Sequence, residues 1–209
     1  MAGPEAPKRV GRPAAANAAE TRERLMDEAQ RSFANLGYEG TTNRAIAEAV
    51  GITTGAIYHY FPSKVDMYSA VYAEVQEVLF AAMERAAHGE RGFAGKLSAC
   101  LRAIVTITKS NTSLAGFVVG VASDAQRHPE VQKAVQPHRD RAFEFYRSLA
   151  RDAFVAGEVQ SGVTEDVLAD LVLVVMTGLS RHAAMFDDNE RTRAVVGGIE
   201  RLVAGTMFR

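Results

Sequence analysis

The chain has 209 residues, 47% of them hydrophobic and 23% charged, with a formal net charge of −1 and a single cysteine. The length allows one large domain, or a large and a small one, around a sizeable core; the ordinary balance excludes fibrous and disordered classes and leaves bulk charge unable to draw the chain to a partner. One cysteine excludes a disulfide framework and a cysteine-rich zinc site, and with no run of eighteen apolar residues and an opening on Pro4, Glu5, Pro7, Lys8 and Arg9, a cytoplasmic chain that spans no membrane is expected.

Residues 1–19 come first, with seven alanines and three prolines around Lys8, Arg9 and Arg12. That composition predicts a disordered basic arm. A proline inside a helix costs about 3 kcal/mol through a lost hydrogen bond and a clash. The prolines beyond the arm are Pro62, Pro129 and Pro137, so residues 14–61, 63–128 and 138–209 are free to form long helices. No Asn-Gly or Asp-Gly pair and no sustained alternation signals a strand, and an all-α chain is predicted.

Leu25, Ala29, Phe33 and Leu36 mark one face of a first helix, which Gly37 should end. A helical pair follows between Thr42 and Phe61. Ser63, with Asp66 three residues on, opens a helix of five or six turns through Tyr68, Val71, Tyr72, Val75, Leu79 and Ala82. Leu97, Cys100, Leu101, Ile104 and Thr108 mark the next, and Leu114, Phe117, Val118 and Val121 a shorter one. Pro129 suits the first turn of a helix that bends near Pro137 and runs through Tyr146 and Ala153 to Gly157. Two more are predicted over about 164–186 and 190–208.

Within Thr42–Phe61, Ile46 and Val50 share one helical face, Ala47 is small, Gly51 falls four residues later, and Ile52 and Ile57 complete a small core. A helix-turn-helix needs a small residue where the helices touch, a glycine in the turn and apolar anchors on the second helix. Thr42 or Thr41 can cap the first helix and Thr53 or Thr54 the second, which Pro62 should stop after Phe61. Gly55 and Ala56 let backbone approach a phosphate or a thymine methyl, and Thr54 can bond a base edge or a phosphate. Tyr58, His59 and Tyr60 offer donors for phosphate oxygens, Lys64 adds charge at a helix N-terminus, and Arg44 carries a fork suited to guanine. The plainer reading is an amphipathic helical hairpin. If the pair does bind a duplex, Arg9 and Arg12 suit a narrow A·T-rich minor groove; the alternative for the arm is an inert chain end.

The run Thr41-Thr42-Asn43-Arg44-Ala45-Ile46-Ala47-Glu48-Ala49-Val50-Gly51-Ile52-Thr53-Thr54-Gly55-Ala56-Ile57-Tyr58-His59-Tyr60-Phe61-Pro62-Ser63-Lys64 resembles the DNA-binding signature of the TetR family of bacterial transcriptional repressors, and Ala29, Phe33, Gly37 and Tyr38 resemble its first helix and glycine turn. The resemblance implies a three-helix DNA-binding domain over residues 20–66 and a helical effector-binding and dimerisation domain over 67–209. It implies DNA contacts at Thr42, Asn43, Arg44, Thr54, Gly55, Ala56, Tyr58, His59, Tyr60 and Lys64. Of these, Gly55, Tyr58 and Lys64 are typical of the family, whereas Arg44 and His59 occupy positions that vary. Residues 1–64 hold eight Lys/Arg against seven Asp/Glu, so affinity for DNA would rest on local placement and should fall with salt.

The helix at 164–186 is apolar on nearly every side, which predicts cover on one side by its own domain and on the other by a second subunit. With the last helix it would build a four-helix bundle across a two-fold axis, with Leu171, Val175, Gly178, Val195, Ile199, Leu202 and Val203 in the seam. Such a homodimer would place two recognition helices roughly 34–36 Å apart, or further on related grooves, on a palindromic double-stranded operator. The resemblance places a cavity among the intervening helices, with Leu79, Met83, Leu101, Ile104, Phe117, Val121, Tyr146 and Met176 as candidate lining, or plain core, and a small, mainly hydrophobic effector. The histidines are scattered and no catalytic motif appears, so no catalytic residue, metal or cofactor is expected. The alternative is a helical small-molecule-binding protein or enzyme with a vestigial DNA-binding module.

Overall fold

The computed structural model describes residues 14–186 and 188–208. Arg9 and Arg12 lie outside the described residues. Among the described residues the chain forms nine helices and no strand: α1 Ala14–Gly40, α2 Asn43–Val50, α3 Thr54–Ile57, α4 Lys64–Ala87, α5 Gly92–Ser110, α6 Thr112–Arg127, α7 Pro129–Val155, α8 Glu165–Phe186 and α9 Asn189–Val203.

Local chemistry accounts for most of these boundaries. α1 breaks at Gly37, whose φ of 70° and ψ of −179° suit glycine almost alone. The Thr42 hydroxyl accepts the Ala45 N–H at 3.1 Å to cap α2, and Gly51 ends it in the left-handed region at φ 79°. The Ser63 hydroxyl accepts the Asp66 N–H and donates to the Asp66 carboxylate at 2.7 Å, the cap read from the sequence. α7 starts on Pro129 and continues through Pro137 as one helix.

Three sequence expectations need correction. Leu36 shares the angular stripe of α1 but stands 62% exposed, just before the break at Gly37. α9 ends at Val203 rather than 208, because Ala204 caps it and Gly205 turns into the left-handed region at φ 67°. The second helix of the Thr42–Phe61 pair is α-helical only over Thr54–Ile57; beyond it, His59 and Tyr60 bond back three residues to Ala56 and Ile57, the tighter winding common at helix ends.

α1 lies along α6, α4 packs between α5 and α7, α8 lies on α7 and α6, and α9 lies on α5 and α8. The buried core runs without a gap from Leu25 in α1 to Val196 in α9. Phe33 and Tyr38 of α1 join it through Tyr68, whose ring stands edge-on to both at 4.7 and 5.4 Å, and Tyr68 meets Phe117 of α6 at 5.1 Å. α8 has the length and apolarity of a membrane span, yet Ala169, Val172, Met176 and Leu179 are in the protein core and Asp166 and Asp170 interrupt its polarity pattern.

Candidate nucleic-acid interface

The α2–α3 pair is held from below by residues with no exposed surface. Ile46 and Ala47 of α2 and Ile57 of α3 are fully buried, and Phe61 nearly so. Gly51 N–H bonds to Glu48 C=O at 3.1 Å and Ile52 N–H to Ala47 C=O at 2.9 Å, so α2 closes tightly and the chain turns at once. The Thr53 hydroxyl then accepts the Ala56 N–H at 3.2 Å and opens α3. Two arginines of α1 brace the unit: the Arg24 guanidinium donates to the Val50 carbonyl at the end of α2, and Arg22 lies 5.3 Å from the Phe61 ring centroid.

This scaffold presents Thr54, Gly55, Tyr58 and His59 outward, with Tyr58 52% exposed. Ala56 and Tyr60 are half-buried beside them. Thr42 is exposed, with its hydroxyl engaged in capping; Asn43 is half-buried, and its buried Oδ1 has no hydrogen-bond partner. Arg44 extends into solvent and pairs with Glu48 at 2.8 Å, a hydrogen bond that raises the guanidinium pKa. Such an exposed pair contributes little to stability.

Lys64 is placed differently from a free surface cation. Its ammonium donates to the carbonyls of Tyr38 at 2.7 Å and Thr41 at 3.0 Å, and lies 4.2 Å from the Tyr38 ring centroid. Partial burial lowers its pKa. Lys64 therefore ties the start of α4 to the corner between α1 and α2. That corner is also where the sequence reading missed its most important contact: the Asp124 carboxylate of α6 accepts the Tyr38 N–H at 3.1 Å and the Tyr68 hydroxyl at 3.0 Å. A carboxylate continuing the Phe117–Val121 stripe at helical spacing was the available signal, since a charge on a buried face needs partners.

The helices beyond this unit enclose a cleft of about 380 Å³ among α4, α6, α7 and α8, walled by Tyr72, Val118, Val121, Phe143, Tyr146 and Leu173 together with the polar Gln76, Gln136, Arg139, Asp140 and Thr177. Of the eight expected lining residues, Val121 and Tyr146 face it. Leu79, Met83, Leu101, Ile104, Phe117 and Met176 are buried in the core rather than in the wall of this cleft. A second, more polar cleft of about 430 Å³ lies between α1, α6 and the α8–α9 junction, with Arg31, Asn35 and Thr192 in its wall. Along α8 and α9, Leu171, Gly178, Leu202 and Val203 are exposed, together with Val167 and Val174, while Val175, Val195 and Ile199 are half-buried against the core. This leaves a continuous run of uncovered apolar side chains on α8.

An all-α chain carrying an anchored helix-turn-helix on a larger helical body belongs to the class of DNA-binding transcriptional regulators. Residues 25–71 match the family described as bacterial regulatory proteins, tetR family. The chain is 26% identical over 188 residues to the transcriptional regulator UidR of Escherichia coli K12, covering 86% of this chain and 92% of that protein. It is equally identical over 182 residues to the transcriptional repressor Rv1474c of Mycobacterium tuberculosis, covering 87% and 92%. Among solved structures, FadR of Bacillus subtilis in complex with stearoyl-CoA superposes with a TM-score of 0.77 at 16% identity, covering 89% of this chain and 99% of that one. Salmonella enterica GusR does so with a TM-score of 0.74 at 21% identity, covering 95% and 98%. Residues 25–71 thus carry the DNA-binding domain of that family, and the chain is similar to transcriptional regulators along most of its length.

Proposed function

We propose that the protein is a repressor that binds a palindromic operator as a homodimer and is released from it by a small, mainly apolar effector. The observation that carries this reading is the outward face of the α3 turn. Thr54, Gly55, Tyr58 and His59 stand exposed on a unit whose underside is fully buried, which is the arrangement a major groove requires. Thr42, Asn43 and Arg44 would approach the flanking backbone, with Ala56 and Tyr60 at the edge of the contact. Lys64 would act mainly by holding the corner from which α2 departs. Arg9 and Arg12 would follow the minor groove.

In this reading residues 20–66 form the DNA-binding domain and residues 67–209 bind effector and dimerise, in the cytoplasm where the DNA lies. The uncovered apolar face of α8 and α9 supports pairing with a second copy. The apolar part of the cleft wall, Val118, Val121, Phe143 and Leu173, supports a mainly apolar effector, with Gln76, Gln136, Arg139 and Asp140 available to a polar end, and the neighbour FadR was solved with stearoyl-CoA. An effector would act by favouring the conformation with misplaced recognition elements, to the extent of its differential affinity.

The test is retardation of a duplex taken from upstream of the protein's own gene. A saturable complex, weakened several-fold between low and physiological salt, is expected. Affinity that ignores salt, or failure to retard while a small molecule is turned over, would contradict the regulator.

A further inference from the structure

Among the described residues, Asp124 is the one buried charged side chain, and its carboxylate reaches partners on two other helices. Its Oδ2 takes the N–H of Tyr38, 86 residues earlier, and the hydroxyl of Tyr68, 56 residues earlier. Tyr38 directly follows the break at Gly37 and leads through Thr41 to the Thr42 cap of α2. Its carbonyl is held by Lys64, the first residue of α4. A Cβ at Gly37 would come within 3.4 Å of Asp124 Oδ1, so the carboxylate sits against the backbone of the break itself. The position of α2 and α3 is thus set from two sides, by α6 through Asp124 and by α4 through Lys64 and Tyr68.

Those two helices are also walls of the 380 Å³ cleft. Val121 and Ala122 line it within one turn of Asp124 on α6, and Tyr72 lines it one turn beyond Tyr68 on α4. A buried carboxylate deprived of its donors is costly, so α6 cannot move relative to Tyr38 while Asp124 stays in place. The corner at Gly37 must follow it. We propose that Asp124 is a positioning residue for DNA binding: it fixes the helix-turn-helix to α6 and makes any displacement of the cleft wall a displacement of the recognition turn. This rests on the DNA-binding reading above. It adds a specific residue, in the effector domain and remote from DNA, on which operator affinity depends. Burial and the Asp124 contact raise the Tyr68 pKa well above its ordinary value, which keeps the hydroxyl a donor throughout the neutral range.

The experiment compares full-length wild type with Asp124→Asn, Tyr68→Phe and Thr108→Val. The last removes a buried hydroxyl whose bonds go to the Ile104 and Val105 carbonyls of its own helix, with none to Tyr38, Tyr68 or Asp124. Each is measured for affinity to the upstream duplex and for amide exchange. Asp124→Asn is expected to weaken binding tenfold or more and Tyr68→Phe about threefold, while Thr108→Val leaves affinity unchanged although it lowers stability. Exchange should quicken over Tyr38–Arg44 in the first two only. Wild-type affinity in folded Asp124→Asn, or an equal loss in Thr108→Val, overturns the proposal. If Asp124→Asn does not fold, Tyr68→Phe against Thr108→Val decides in the same way. If wild type binds no DNA, the regulator reading fails separately; faster exchange confined to Tyr38–Arg44 still supports the coupling, and uniform or unchanged exchange still overturns it.

Discussion

At Cys100 a buried thiol, 3.7 Å from the Met83 carbonyl, has its pKa pushed up to about 11 by burial. A raised folded-state pKa means that the neutral thiol stabilises the fold below its ordinary value of 9.0 and that this contribution fades as pH rises toward 11. The unfolding temperature is therefore expected to fall above pH 9, and to fall less steeply in Cys100→Ala. A thiol reagent should label native protein slowly and denatured protein at once. At Gly37, alanine would enter a backbone region reserved almost wholly for glycine, against Asp124. Gly37→Ala is expected to cost about 1–3 kcal/mol in a denaturant titration, and an unchanged midpoint would contradict the account of the break. The glycine was legible from its place after an apolar stripe. Where the Lys64 ammonium goes was not, because its partners at Tyr38 and Thr41 lie more than twenty residues away.

Among elements, the caps and glycine stops were readable because they are local: Thr42, Ser63, Gly51 and Pro129 each act within four residues. Thr42→Ala should cost roughly 1 kcal/mol and loosen α2, as measured by thermal unfolding; no change would mean the hydroxyl does not cap. The early end of α3 was less legible. Phe61 reaches the core and Pro62 cannot continue a helix; between them and Ile57, His59 and Tyr60 bond back three residues while Phe61 closes across four on Ile57, a mixed turn that the same apolar spacing does not distinguish from an α-helix. Likewise an apolar stripe specifies a buried face but not what it faces. Val121 lines a cleft while Phe117, one turn earlier on α6, packs against Tyr68, a difference decided by how four helices meet.

For the whole molecule, the fold class and the helix-turn-helix were legible because periodicity, proline placement and one dense motif agree. One tie between the two halves was not, because it is a single carboxylate meeting two distant tyrosines. Leu171, 52% exposed, and Leu202, 55% exposed, carry the proposed pairing of copies. Leu171→Glu is expected to give a monomer by light scattering at concentrations where wild type is a dimer, with operator affinity lowered at least tenfold because two recognition turns no longer bind together. A dimer that persists would move the interface elsewhere.

In the proposed complex the exposed face of the α3 turn enters the DNA duplex. Anisotropy of a fluorescent upstream duplex, titrated with wild type and with Tyr58→Ala, reads that contact. Wild type should bind with two protomers per site, and the folded variant tenfold or more weakly, with a shallower dependence on salt if the lost contact was to phosphate. Equal affinity for the two proteins would place the DNA on another surface.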